Sequence, residues 1–199
     1  MRPFSTMLAN GAEAQLRETA PDDLAQIECG FARLSDRSRQ LRFGSAINRL
    51  SDTQLREAVR TGDCDHFAVG VTLGSGSRTK PAALARFIRL DCTNDQAEIA
   101  ITVVDAYQGL GLGTVLLGTL AKAASGYDIR ALVAFVDARN RGMRHMLRGL
   151  SAAVPRGPDV PFVIPVHTDP ARYPKTATGD GMRAAYRLAR FGPQRCAPG

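Results

Sequence analysis

Gly109, Gly111 and Gly113 stand between an apolar, β-prone stretch (Ile99 to Val104) and an apolar helical pattern ending near Ala124. Glycine has no Cβ, so backbone N–H groups there can turn inward and approach an anion closely. A helix opening near Gly113 adds its own unpaired N–H groups and the positive end of its dipole. A strand, turn and helix of this kind form a cradle for pyrophosphate, and spacing decides which one. A P-loop requires Lys followed by Ser or Thr after its glycines, and no Lys follows here. The dinucleotide pattern Gly-x-Gly-x-x-Gly ends on Thr114 when counted from Gly109 and on Leu116 when counted from Gly111, so it fails too. What remains is Gln-x-x-Gly-x-Gly at Gln108, Gly111 and Gly113.

The flanks extend the pattern. Ala131 to Val136 is a second apolar strand, followed by Asn140-Arg141-Gly142-Met143 and apolar positions 143, 146, 147 and 150 on one helical face. Strand, glycine turn, helix, strand, then a helix opening with Asn-x-x-Met resembles the GCN5-related N-acetyltransferase (GNAT) family. The resemblance covers about residues 11 to 165 and is specific over 97 to 150. Within the family, Ala97-Glu98-Ile99-Ala100-Ile101-Thr102-Val103 and Leu34 to Phe43 look most like the catalytic domain of bacterial protein lysine acetyltransferases.

The resemblance implies an α/β (α+β) fold, a mixed, mostly antiparallel sheet splayed between its fourth and fifth strands and flanked by helices. It implies a GNAT domain over 1–165, with 166–199 as a basic C-terminal extension. It also implies acetyl-CoA as co-substrate, with no metal. CoA would lie along the backbone of Ile101, Thr102 and Val103 and in the loop Gln108, Gly109, Leu110, Gly111, Leu112, Gly113 and Thr114. Asn140 and Met143 would complete the site at the start of the later helix; Asn is equally a good helix N-cap there.

An amine attacks a thioester only when neutral, so an alkyl ammonium with a pKa of about 10.4 must first lose a proton. A positioned base contributes about 10²- to 10⁴-fold. Glu98 is the candidate, both from the resemblance and because its apolar sequence neighbours predict a desolvated carboxyl with a raised pKa. A half-exposed glutamate on a polar strand face is the competing reading. Asp105 is the second candidate, or a cap for the turn. Many family members carry a Tyr seven residues after the Asn, where this chain has Leu147. The family's Leu-Gly-Phe is replaced by Leu150-Ser151-Ala152. Tyr107 is expected to pack rather than act as an acid. The expected function is acetyl, or short acyl, transfer from CoA to an amine, with a protein lysine favoured and a small-molecule amine the alternative. A noncatalytic acyl-CoA sensor is the rival from another class, and a desolvated Glu98 would discriminate against it.

The remaining elements must position these groups. A first strand is expected at Ala14 to Arg17, and a helix from Pro21-Asp22-Asp23. Ser51 and Gln54 form a capping-box signature for another helix. Strands follow at 66–73 and 82–90, joined through Gly74-Ser75-Gly76-Ser77. Prolines at 155, 158, 161 and 165 interrupt the final strands, 167–180 reads as irregular, and Gly181 to Phe191 as a short basic helix before a Pro/Gly tail.

With 199 residues, 44% of them hydrophobic, the chain is long enough for one substantial core. No apolar run approaches the roughly 20 residues of a membrane span, and no signal-peptide core precedes residue 15, so a cytoplasmic location is expected. Cys29, Cys64, Cys92 and Cys196 show no metal or disulfide spacing, which predicts reduced thiols. His66, His145 and His167 form no paired metal spacing either. The net charge of +7 suits an anionic co-substrate. Without a basic block or a nucleic-acid motif, no nucleic-acid partner is expected. An oligomer stays open. Arg33, Arg37, Arg39, Arg42 and Arg49 form the densest basic cluster, read as a solvated helix face.

Overall fold

Seven strands form a single sheet in chain order: β1 (Phe4–Met7), β2 (Glu13–Glu18), β3 (His66–Leu73), β4 (Lys80–Arg89), β5 (Gln96–Val103), β6 (Ala131–Ala134) and β7 (Phe162–Pro165). The computed structural model describes residues 1–60, 64–74, 76–90, 95–150, 157 and 160–192. Every neighbouring pair is antiparallel except β5 and β6, which run parallel. The exception follows from the connection, since parallel neighbours need a crossover and a helix supplies it. That helix is α4 (Leu112–Gly126).

α4 is apolar on most of its circumference because it is covered twice. One side packs on β3, β4 and β5; the other meets α6 (Ala177–Leu188). Leu112, Leu116, Leu117 and Leu120 are fully buried, together with Met182 and Tyr186 from α6. The two helices approach closely at Gly118, where a Cβ would stand 2.4 Å from the Met182 carbonyl oxygen and 2.9 Å from the Ala185 Cβ. The short helix expected at Gly181 therefore begins four residues earlier, at Ala177, and its buried face joins the main core.

The opposite face of the sheet carries α1 (Leu24–Ala32), α2 (Asp36–Phe43) and α3 (Asp52–Val59), with α1 packed on β4 and α2 beside β5. A second, smaller core of Phe31, Leu34 and Val104, with Phe43 and Leu50 against it, holds them there. The capping box of α3 forms as expected: Gln54 N–H donates to Ser51 Oγ at 3.2 Å, and Ser51 N–H donates to Gln54 Oε1 at 2.8 Å. α5 (Arg141–Arg148) follows β6 and buries Leu147.

Several expectations change. β1 is a strand that the sequence reading lacks, so the expected splay lies between the expected two strands, here numbered β5 and β6. Cys64 is disulfide-bonded, its partner lying outside the described residues, while Cys29 is free and exposed. The expectation of four reduced thiols therefore fails at Cys64, whose linear spacing from the other cysteines gives no sign of a pairing. Nor is the arginine cluster a solvated face: Arg37 is exposed, but Arg33, Arg39 and Arg42 are half-buried. Arg39 and Arg42 stack on Phe31 and Phe43, with guanidinium carbons 4.7 and 4.9 Å from the ring centroids. The expectations for Ser75, Ser151, Ala152, Pro155, Pro158, Cys92, Cys196 and the Pro/Gly tail beyond 192 lie outside the described residues.

Candidate active site

β5 pairs with β4 from Ala97 to Val103, but with β6 only from Gln96 to Glu98. Beyond Glu98 the edge of β5 that faces β6 is released, and Ile101, Thr102 and Val103 lie on this freed stretch. An unpaired strand edge offers N–H and C=O groups to an extended amide-bearing ligand.

The chain leaves this strand through a short 3-10 turn, Asp105–Tyr107, and enters the glycine loop. Gly109 (φ +75°) and Gly111 (φ +92°) occupy the left-handed region, which glycine adopts without a steric penalty. A Cβ at either position would meet nothing within 4 Å, so the space in front of the loop is open. Gln108 N–H is used internally, donating to the Asp105 carbonyl at 3.2 Å, and Thr114 N–H donates to Gly111 at 3.1 Å. Between them, the amides of Gly109, Leu110, Gly111, Leu112 and Gly113 have no acceptor among the described residues. The last two open α4, so the helix dipole adds to this row of donors. A row of free amides at a helix start fits a pyrophosphate.

The other expected contacts divide. The Gln108 side chain is engaged, its Nε2 donating to the Val103 carbonyl at 3.1 Å and to Ser38 Oγ at 3.2 Å. Asn140 caps α5, its Oδ1 accepting from Met143 N–H at 3.1 Å. Met143 itself packs against the main core. Asp105 joins the loop to α2: Oδ1 accepts from Ser35 Oγ at 2.7 Å and Ser38 Oγ at 2.8 Å, and Oδ2 accepts from Ser35 N–H at 2.9 Å. Burial pushes its carboxyl pKa up, but these bonds outweigh that and hold it below the usual value. Tyr107 accepts from Arg33 at 3.1 Å and packs, as expected.

Glu98 is exposed. Strand alternation explains why the desolvation expected of it does not arise. Ala97 and Ile99 turn into the main core, while Glu98 shares the other face with Ala100 and Thr102. Across the ladder, that face carries Ile88 opposite Glu98, Arg86 opposite Ala100 and Leu84 opposite Thr102. A cavity of about 140 Å³, open to solvent, lies over this face beneath α1, α2 and α3. Ala100 and Thr102 form part of its floor, and Glu98 stands one step further along the same strand face. Arg42, also in the wall, was missed as a site residue because its sequence context reads as a basic helix surface.

This sheet, released strand and glycine loop define the acetyltransferase (GNAT) family, whose model matches residues 36–151, and the chain belongs to that family. The relatives it matches are named acetyltransferases, and acetyl-CoA is the co-substrate that the family uses. Among characterised relatives, it is 29% identical over 150 residues to acetyltransferase Pat of Mycolicibacterium smegmatis, covering 75% of this chain and 44% of that protein. It is 27% identical over 152 residues to acetyltransferase PA5475 of Pseudomonas aeruginosa, covering 76% and 81%. The chain thus spans less than half of the mycobacterial relative. In structure it resembles the GNAT domain of S. lividans PAT, with a TM-score of 0.72 and 25% identity over 82% of this chain and 95% of that one. No described helix is long and apolar enough to cross a membrane. The described residues contain no cluster of His, Cys, Asp and Glu able to hold a metal.

Proposed function

We propose that this enzyme acetylates a primary amine that reaches β5 through the cavity beneath α1, α2 and α3, with Glu98 taking the amine's proton. The observation that carries the reading is the shared strand. The freed edge of β5 faces the side where the glycine loop would hold CoA, and its Glu98–Ala100–Thr102 face lines or borders the cavity. Donor and acceptor would thus meet at one strand from two directions. The free amides of residues 109–113 would hold the pyrophosphate. The backbone of Ile101 to Val103 would pair with the pantetheine amides and supply an N–H to the developing oxyanion. Asn140 would contribute its amide nitrogen while its oxygen caps α5. Glu98, at an exposed position, would pass the proton to solvent.

The acceptor can be a protein lysine, favoured by the local sequence resemblance and by likeness to acetyltransferases named Pat, or a small amine. A lysine would thread its apolar stem along the cavity. The test is steady-state acetyl transfer by wild type and Glu98→Gln, across pH, to lysine peptides and small amines. Glu98→Gln should keep its CoA affinity and lose about 10²-fold or more in turnover. Equal, robust rates would move the base elsewhere, and rates near background in both proteins would favour an acyl-CoA sensor.

A further inference from the structure

Three guanidinium groups line the cavity, and they are not equivalent. Arg17 is bidentate with the Asp23 carboxylate, and Arg86 pairs with Glu57. Arg42 has neither arrangement. Among the described residues its Nε is buried without a hydrogen-bond partner, and the Phe43 ring lies beneath its guanidinium. Burial, with Arg86 nearby, pulls the Arg42 pKa down to about 10, while Glu98 and Glu57 at longer range push it back up. At neutral pH the group is therefore charged, half-buried and, among the described residues, not matched by a carboxylate in contact. Leaving such a charge unpaired is costly, and the cost is removed if a ligand brings the counter-charge.

Much of the rest of the wall is apolar, with Ile27, Phe31, Leu34, Phe43, Leu50 and Leu84, although Thr19, Gln26, Gln54, Thr72 and Thr102 also line it. A ligand that satisfies both features has an apolar body and a planar oxyanion. Glu98 adds a third feature, since the cavity has a positive group at Arg42 and a negative one just beyond its floor on β5. That polarity matches a zwitterion laid with its carboxylate on Arg42 and its ammonium toward Glu98, where the amine would be deprotonated.

We propose that the acceptor is a small amine bearing a carboxylate and an apolar side chain, an apolar α-amino acid or a near relative, and that Arg42 selects it by binding the carboxylate. This rests on the acetyl-transfer reading above and specifies its acceptor. A guanidinium–carboxylate fork is the geometry that fits this role, because it places two parallel N–H donors on two oxygens.

The test compares leucine with leucinamide, and phenylalanine with phenylalaninamide, as acceptors for the full chain with acetyl-CoA. Each pair keeps the side chain and removes the negative charge; the amide's amine is also less basic, so rates are compared per neutral amine. Wild type should prefer the acid over its amide by about 10- to 100-fold in kcat/KM, from the usual strength of a charge-assisted hydrogen bond. Arg42→Gln should reduce that ratio to near one, chiefly through KM, and Arg42→Lys should recover part of it. Calorimetric binding of the same four compounds in the presence of CoA reads the site independently of turnover. Binding of acids over amides that depends on Arg42, without transfer, would support the anion site and refute only the acetyl-transfer reading. Transfer to amides or lysine peptides at or above the rate for the acids would refute the acceptor inference while leaving the transferase intact. Neither binding nor transfer of the acids would refute it as well. The acid-to-amide comparison in wild type needs no variant, so poor folding of Arg42→Gln would not rescue the idea.

Discussion

Asp105→Ala removes the carboxylate through which the co-substrate loop holds α2. Three donors converge on it at 2.7, 2.8 and 2.9 Å, and Ser35, which gives two of them, is the N-cap of α2. Hydrogen bonds to a charged group contribute about 1.5–3 kcal/mol each. Ser35 is exposed, however, and both serines can turn to water once released, so the net loss is about 1–3 kcal/mol rather than the sum of three bonds. For a chain of this size that lowers Tm by about 2–12 °C. The sign with pH is fixed by the direction of the shift. The folded-state pKa of Asp105 lies below its unfolded value of 3.8, so its stabilisation is fully present above that value and is lost as pH falls through the folded one. The Tm difference between wild type and Asp105→Ala should therefore be constant from pH 7 to about pH 5 and shrink below about 3.8. Functionally, α2 carries Arg42, so a loosened α2 should raise the KM for the acceptor more than that for acetyl-CoA. Thermal denaturation and steady-state kinetics test both parts. An unchanged Tm at pH 7, or a difference that persists undiminished in acid, would refute the reasoning.

Other perturbations have defined outcomes. Gly111→Val forces a β-branched residue to φ +92° and puts a side chain into the open space before the free amides, so CoA affinity measured by calorimetry should fall at least tenfold; a folded variant with unchanged affinity would contradict the cradle. Gly118→Ala places a methyl 2.4 Å from the Met182 carbonyl oxygen, and the resulting overpacking of about 1–3 kcal/mol should outweigh the gain of about 1 kcal/mol in helix propensity. A Tm equal to or above that of wild type would mean that α6 can move away freely. Ser51→Ala removes the α3 cap at a cost of about 1 kcal/mol, visible in urea denaturation; an unchanged midpoint would mean that the cap contributes nothing to global stability.

The elements around the glycine loop are legible because local chemistry dictates them. A strand running into glycines with φ near +75° and +92°, then into an apolar helix, is written in contiguous residues, and β3 was anticipated to the residue. The capping box of Ser51 and Gln54 is equally local. β1 was missed because Phe-Ser-Thr-Met has one large apolar residue at each end and shows no alternation, and the strand forms because β2 offers it a partner. α6 was placed late because Thr176 caps it and Gly179 and Gly181 obscure its period; its position is set by packing on α4.

Side-chain surroundings at the acceptor site were less legible, for one geometric reason. Glu98 has apolar neighbours in sequence, but a strand sends alternate residues to opposite faces, so Ala97 and Ile99 shield the main core and give Glu98 no shelter. Its relevant neighbours are Ile88 across the ladder and the charge of Arg42 on a helix more than fifty residues earlier. Arg42 is the converse: charged neighbours in sequence suggest water, yet helical spacing turns it, like Arg39, onto the aromatic floor made by Phe31 and Phe43. The same fact explains both errors. Sequence proximity reports environment only where the chain bends back on itself within a few residues, as at the glycine loop. Across a sheet face covered by three helices, environment is set by register and crossing. The glycine-loop side of this fold is thus encoded locally, and the cavity side only by the assembled fold, which is why Arg42→Gln probes the fold's contribution to the proposed specificity and Gly111→Val probes the sequence's contribution to the proposed CoA binding.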